Sequence, residues 1–458
     1  MGTGVMKRKK MRWQPTQILV VGFASVILAG TILLSLPFAS YEGYDIGFWN
    51  VLLNAFFTST SATCVTGLVI VDTSVHWTVF GKTVILLMIQ IGGLGIMTSA
   101  TIFAFALGKK FSIRERLVMQ ESLNQFNLGG VVRLTQRVLG LTFLIEGIGA
   151  FLLMFRFIPK YGVLKGIGYS FFHAISAFCN AGFDLFGKSL VDYSGDPLVN
   201  SVILTLIVLG GLGFVVIMEI FKKRKFSKLS LHAKIAVYVT VVLIAVGFIV
   251  IFISESFNPN TLANESLGTK IQASLFHAIT PRTAGFNTLA MDQLTMTTVF
   301  LTIVLMFIGG TSGSTAGGIK TTTFGVLIVL VLSIVKGKDD AEVFKKKIPT
   351  NIINKAIAIA ALGIGIVVTL ALILTITETA MQTGHTFQEL FFESVSAFAT
   401  VGLSLGITAD LSWPGQLMIA IAMYFGRVGP LTIFLAFVYK KDKPSGIVKY
   451  PEEKVIVG

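Results

Sequence analysis

Charge is what this 458-residue sequence has least of: 37 Lys and Arg with 23 Asp and Glu make up 13%, about half the roughly 25% usual in a soluble domain. Cysteine is nearly absent, with two residues, and the five histidines are scattered. These shortages exclude whole classes. Two cysteines cannot build the disulfide framework of a small secreted scaffold, and with so few dispersed histidines no metal-ligand spacing forms. No uninterrupted polar stretch could hold a soluble catalytic domain, so a cytosolic enzyme is excluded. With 53% of residues apolar, so is a disordered binder. In a soluble protein the net charge of +14 would raise the question of nucleic acid. Here its placement matters more than its sum, and no nucleic-acid partner is expected.

What the sequence does have is long apolar runs, at about 16–38, 78–107, 134–158, 198–221, 232–254, 294–335, 352–377 and 413–438. At roughly 20 residues per crossing they predict eight membrane crossings. Segments 7–12, 109–137, 222–234, 336–355 and 440–454 hold 28 of the 37 basic residues, and the intervening connections hold 13 of the 23 acids. By the positive-inside rule both termini are expected in the cytoplasm of a multi-pass cell-membrane protein. The first run is too long for a signal peptide, and no A-x-A-like site follows it.

Each outer connection carries a moderately apolar stretch, at 48–63, 168–178, 270–280 and 387–398, too short to span and so expected to be re-entrant. Aligned, they read FFTSTSATCVTGL (56–68), FFHAISAFCNAGF (171–183), LFHAITPRTAGF (275–286) and FFESVSAFATVGL (391–403). The closing glycines, Gly67, Gly182, Gly285 and Gly402, lie 115, 103 and 117 residues apart. A second landmark follows each by 25, 28, 24 and 24 residues: Gly92-Gly93-Leu94-Gly95, Gly210-Gly211-Leu212-Gly213, Gly309-Gly310, and Gly426-Arg427-Val428-Gly429. Such spacing is an internal repeat. The expected fold is an all-α membrane protein with four helix, pore-loop, helix units around one central pore. That makes eight crossings plus four re-entrant helices. The units are 16–108, 133–222, 231–336 and 350–439, between cytoplasmic tails 1–15 and 440–458.

Irregular backbone at membrane depth is tolerated only when buried in protein or lining water, so four such loops most economically surround one axis. Rings of backbone carbonyls can replace the water shell of a dehydrated monovalent cation, and glycine belongs where φ must turn positive. The candidate filter strips are Cys64-Val65-Thr66-Gly67, Cys179-Asn180-Ala181-Gly182, Arg282-Thr283-Ala284-Gly285 and Ala399-Thr400-Val401-Gly402. Short helices ending at the axis would point partial negative charge toward it, favouring cations.

The run from Leu294 exceeds 40 residues and as one helix would measure over about 60 Å, so it must break. The break is expected at Gly309-Gly310-Thr311-Ser312-Gly313-Ser314-Thr315-Ala316-Gly317-Gly318, roughly 22 Å below the helix start, as an intramembrane gate. Arg427 falls at a similar depth and is expected to donate to carbonyls of that segment. Lys320 either serves similarly or reaches the cytoplasmic interface. Small-residue helix packing explains the isolated Gly-Gly pairs but not ten such residues in a row.

Arg282 is the only charge in a strip. It is expected to turn behind it as filter support and meet an acid, with Glu393 the candidate. His173 and His277 occupy matching positions and suggest a structural contact at the start of the short helices. Cys64 and Cys179 need not be bonded, and Glu146, inside a crossing, requires a buried partner.

The four-glycine pattern, PRTAGFN (281–287) and the glycine-rich break together resemble the Trk/Ktr/HKT superfamily of potassium transporters, over about residues 15–440. Eight crossings without an added pair look most like the membrane subunit of bacterial Ktr systems. Gly67 in the first strip resembles the potassium-selective class. The resemblance implies potassium as substrate, with sodium coupling left open, no cofactor in this chain and no enzymatic reaction. It implies the Arg427 pairing with the broken segment. It also implies a homodimer and a cytosolic, nucleotide-binding regulatory ring. The rival is a secondary transporter with broken helices for another cation.

Overall fold

The computed structural model describes residues 14–95, 98–99, 113–122 and 131–437. The expected tails 1–15 and 440–458 lie almost wholly outside these residues, as do parts of the connection 109–137 and the end of the first expected unit. Among the described residues four helices are long and apolar enough to cross a membrane: α1 (Pro15–Leu34), α5 (Val131–Tyr161), α9 (Leu231–Glu255) and α13 (Thr350–Ala380). Their outer faces leave Ile32, Phe155, Val241 and Ile376 uncovered, as helices apolar all round do when lipid is the solvent.

Each is followed by a short helix: α2 (Phe48–Cys64), α6 (Val163–Phe178), α10 (Leu267–Ile279) and α14 (Phe387–Ala399). The second of these begins five residues earlier than the sequence indicated, because a single residue, Gly162 at φ +81°, separates it from α5. One column of the repeat, Phe57, Phe172, Phe276 and Phe392, is buried in every copy. The same aromatic anchor thus seats each short helix in the core by close packing.

The second crossing of each unit departs from expectation. The descending helices α3 (Val79–Leu94), α7 (Pro197–Leu212), α11 (Met296–Phe307) and α15 (Trp413–Val428) have 16, 16, 12 and 16 residues, so none exceeds about 24 Å. A break was expected only in the third unit, but all four stop short. Three end at a glycine of positive φ, Gly95 (+82°), Gly213 (+86°) and Gly429 (+92°), and the third at Ile308. Beyond Gly213, α8 (Phe214–Lys223) leaves at 99°. Beyond the third and fourth breaks come α12 (Thr321–Val335) and α16 (Pro430–Phe437), and α4 (Ile113–Ser122) lies between the first two units. Glycine hides these breaks because it keeps a run apolar while permitting a turn. The only strands among the described residues pair Glu342–Val343 with Lys346–Lys347.

Packing between units is cyclic. Helix α3 packs on α6, α7 on α10, α11 on α14, and α15 returns to α2. Each descending helix therefore touches the short helix of the next unit, and the fourth closes on the first.

Candidate functional site

The four strips meet. A Cβ added to Gly67 would collide with the Ala181 carbonyl, one on Gly182 would lie 2.9 Å from the Ala284 oxygen, and one on Gly285 2.6 Å from the Val401 oxygen. One on Gly402 would collide with the Thr66 carbonyl, completing the circuit. Among the described residues none of these four carbonyls accepts a hydrogen bond. All four glycines have positive φ, at +96°, +70°, +77° and +89°.

Two residues earlier, each strip also turns left-handed at a residue that is not glycine: Val65 (+58°), Asn180 (+59°), Thr283 (+71°) and Thr400 (+52°). That conformation costs roughly 1–2 kcal/mol per residue. From the sequence, positive φ is expected at the glycines alone. With this alternation of handedness the strip amides turn back toward the short helices. Thr66 N donates to Ser61 O at 2.8 Å, Ala181 N to Ser176 O at 2.7 Å, and Val401 N to Ser396 O at 2.9 Å. In the shorter third copy Ala284 N donates to Thr280 O at 2.9 Å.

A hydroxyl column outside the expected site residues supports these turns: Ser61, Ser176, Thr280 and Ser396, all buried. Ser61 Oγ and Ser396 Oγ accept from the Gly67 and Gly402 amides at 3.0 and 3.2 Å. Ser176 and Thr280 donate instead to the carbonyls of Phe183 (2.8 Å) and Phe286 (2.5 Å). The aligned repeats display this column, and a hydroxyl in four of four copies was the available signal. The Gly-Gly landmarks have a local cause as well. Gly92, Gly210 and Gly426 press on the carbonyls of Thr63, Phe178 and Phe398, where no Cβ fits.

Below the strips runs segment 308–320. Gly309 lies against the Thr283 methyl, Gly317 against Thr400 and Gly318 against Ala399. It is tied to the second unit by Thr311 N to Gly211 O (2.8 Å), Phe214 N to Gly313 O (3.1 Å) and Thr315 Oγ1 to Phe178 O (3.3 Å). It is tied to its own unit by Thr321 N to Gly310 O (2.9 Å) and Thr321 Oγ1 to Gly309 O (3.0 Å). Ser314 Oγ donates to Thr311 O at 2.6 Å, and Ser312 pairs with Thr322. Arg427 donates to the Thr315 carbonyl and to those of Gly92 and Gly93. The segment and this arginine thus touch all four units. Lys320 folds back on its own segment, donating to Ala316 O (2.6 Å) and Gly317 O (3.2 Å).

Arg282 turns away from the strip, but its partners are not the acid expected. Its guanidinium meets Thr240 Oγ1 (3.1 Å) and Thr321 Oγ1 (3.4 Å), whereas Glu393 accepts from Thr408. Two threonine hydroxyls on neighbouring helices offer acceptors without burying a second ion, whose desolvation would offset the attraction. His277 lies in the last turn of α10 and His173 in the second half of α6, not at their starts. Cys64 and Cys179 are free and buried. Glu146 has a partner the sequence did not identify: Gln90 Nε2 at 3.1 Å, with the Cys179 thiol at 3.8 Å. Above the ring a cavity of about 200 Å³ is lined by Gly67, Gly182, Asp72 and Asp184.

A family model described as TrkH, cation transport protein, matches residues 8–447. The chain belongs to the TrkH family. Within it the chain is 43% identical to the Ktr system potassium uptake protein B of Bacillus subtilis, covering 98% of both. It is 40% identical to the potassium/sodium uptake protein NtpJ of Enterococcus hirae over the full length of both. The potassium transporter TrkH of Vibrio parahaemolyticus superposes with a TM-score of 0.70 at 17% identity, covering 94% of this chain and 86% of that one, which shows the shared fold. The TrkH family assignment makes the chain a membrane transporter of the potassium uptake class.

Proposed function

We propose that the chain carries potassium into the cell across the cytoplasmic membrane, selecting it in the ring of four strips and gating it at segment 308–320. The observation that carries this reading is the convergence of four carbonyls, from Thr66, Ala181, Ala284 and Val401, with no donor of their own. Buried carbonyls are normally paired, and a cation entering the ring supplies the missing partner. Because the strip amides donate backward, each carbonyl keeps its direction when water is stripped from the ion.

The gate reading rests on placement. Segment 308–320 lies under strips three and four, and Arg427 brings a positive charge to the same place. With Lys320 beside it, the segment blocks the path sterically and repels cations until it moves. Both termini face the cytoplasm in this reading, and the chain works as a homodimer. Its regulator is a separate cytosolic nucleotide-binding subunit, since the described cytoplasmic connections are too short to contain one. No prosthetic group or reaction chemistry is needed.

The experiment is potassium uptake in a host deprived of its own uptake systems, with and without external sodium. Growth at low potassium that depends on this chain supports the reading, and no uptake with the protein inserted refutes it. A second reading, cation uptake that includes sodium, is favoured by the name of the relative that takes up both ions. Sodium-dependent potassium influx, or sodium influx itself, distinguishes it.

A further inference from the structure

One column of the repeat is buried in every copy yet belongs to no strip: Thr58, His173, His277 and Glu393, each following a Phe-Phe or Leu-Phe pair. A fully buried carboxyl group is costly unless its oxygens are satisfied. Glu393 Oε1 accepts from Thr408 Oγ1 at 2.5 Å, and the Ser404 side chain, two residues beyond Gly402, lies near the same carboxyl group. Thr408 is buried too, six residues beyond Gly402 on the chain leaving the fourth strip. His173 does the equivalent in the second unit. Its Nε2 accepts the Leu185 amide at 3.3 Å, three residues beyond Gly182, while Nδ1 meets the Tyr169 carbonyl at 2.7 Å. Those two contacts fit a neutral ring with its proton on Nδ1.

The second and fourth units lie opposite one another, since the contacts run from Gly67 through Gly182 and Gly285 to Gly402 and back. The other two copies do different work. His277 bonds Thr302 on α11 at 3.1 Å, and the Thr58 hydroxyl has no partner. One column, using two unrelated chemistries, therefore fastens the outgoing chain in two facing units. Ser396 holds the base of the fourth strip through the amides of Val401 and Gly402; beyond it the chain is packed by buried Leu403 and Ile407, and the Thr408 hydroxyl ties it back to the short helix through Glu393.

We propose that Glu393 is a positioning residue for ion selection: by holding Thr408 it fixes the exit of the fourth strip and, with His173 across the ring, sets the separation of opposing carbonyls. The proposal deepens the filter reading and rests on it. Discrimination between two ions is a difference of two affinities, so a loosened exit lowers the preference without stopping transport.

The test is potassium uptake and its competition by sodium, with membrane abundance measured in parallel, for Glu393→Ala, Glu393→Gln, Thr408→Val and Gly402→Ser. Glu393→Ala and Thr408→Val should each raise the apparent KM for potassium about tenfold with maximal rate within about twofold, and weaken the preference over sodium. The double variant should be no worse than Glu393→Ala, which already removes the Thr408 contact. Glu393→Gln retains an oxygen for Thr408 and should keep most of the preference. A merely structural role would lower abundance and maximal rate together while leaving KM and ion preference unchanged. Unchanged preference in Glu393→Ala and Thr408→Val, with Gly402→Ser relaxed, overturns the proposal. Unchanged preference in Gly402→Ser as well overturns the filter reading beneath it. Should Glu393→Ala fail to accumulate, Thr408→Val, nearly identical in shape, decides alone.

Discussion

Arg427 and Thr315 join the fourth unit to the segment beneath the strips, and the same guanidinium reaches Gly92 and Gly93 of the first unit. One side chain thus closes a bridge between three units. Arg427→Ala should raise potassium flux in the absence of any activator, as should deletion of residues 311–314. Arg427→Lys should fall between, since an ammonium is a point charge and cannot span carbonyls on two sides as the planar fork does. Tracer efflux from loaded vesicles measures this, and a fall in flux with normal insertion would refute the barrier.

The glycines should not be equally sensitive. An added Cβ meets a neighbouring carbonyl most closely at Gly402 and least closely at Gly182, where 2.9 Å separates it from the Ala284 oxygen. Substitution to Ser should therefore erode potassium preference most at Gly402 and Gly67, less at Gly285 and least at Gly182. Competition of sodium with potassium uptake ranks them. No change at any of the four would remove the filter assignment.

Ser396→Ala strands the Gly402 amide, which costs roughly 1–3 kcal/mol for a buried unpaired donor. Reduced ion preference is expected, whereas Ser396→Thr, which places in the fourth unit the residue that Thr280 supplies in the third, should be mild. Equal behaviour of the two variants in a selectivity assay would show that the hydroxyl does not hold the strip.

Outside the ring, Glu378 accepts from the Ser412 hydroxyl (2.6 Å) and amide (3.1 Å), pinning the end of α13 to the start of α15. Glu255 pins α9 to Thr295, ahead of α11, in the same way, at 2.7 and 3.0 Å. Glu378→Ala should lower thermal stability by about 1–3 kcal/mol while leaving the KM for potassium in place. Melting in detergent beside transport in vesicles checks both halves, and a change in KM at unaltered stability would contradict this purely structural role.

The sequence made the four glycines and the broken third segment legible because repetition and a run of small residues are visible without coordinates. The breaks at Gly95, Gly213 and Gly429 were hidden, since hydropathy counts a glycine as apolar whichever way its backbone turns. Left-handed Val65, Thr283 and Thr400 could not be foreseen, because β-branched residues seldom adopt that conformation; Asn180, of a type that adopts it more readily, was the one local hint. Only their place between a helix end and a glycine forces it. Pairing Arg282 with Glu393 followed charge alone. The guanidinium found hydroxyls at Thr240 and Thr321, some 40 residues away on either side, a choice that no local pattern records.

Four like quarters carried on a single polypeptide differ from a ring of four identical chains in one practical respect. In a symmetric assembly every substitution appears four times, so an arginine beneath the axis would bring three companions and their mutual repulsion. Here the third quarter could open an irregular segment at 308–320, and the fourth alone could exchange a glycine for Arg427, while the turns at the four strips stayed common to all. Joining the copies end to end is what lets one quarter differ from the other three.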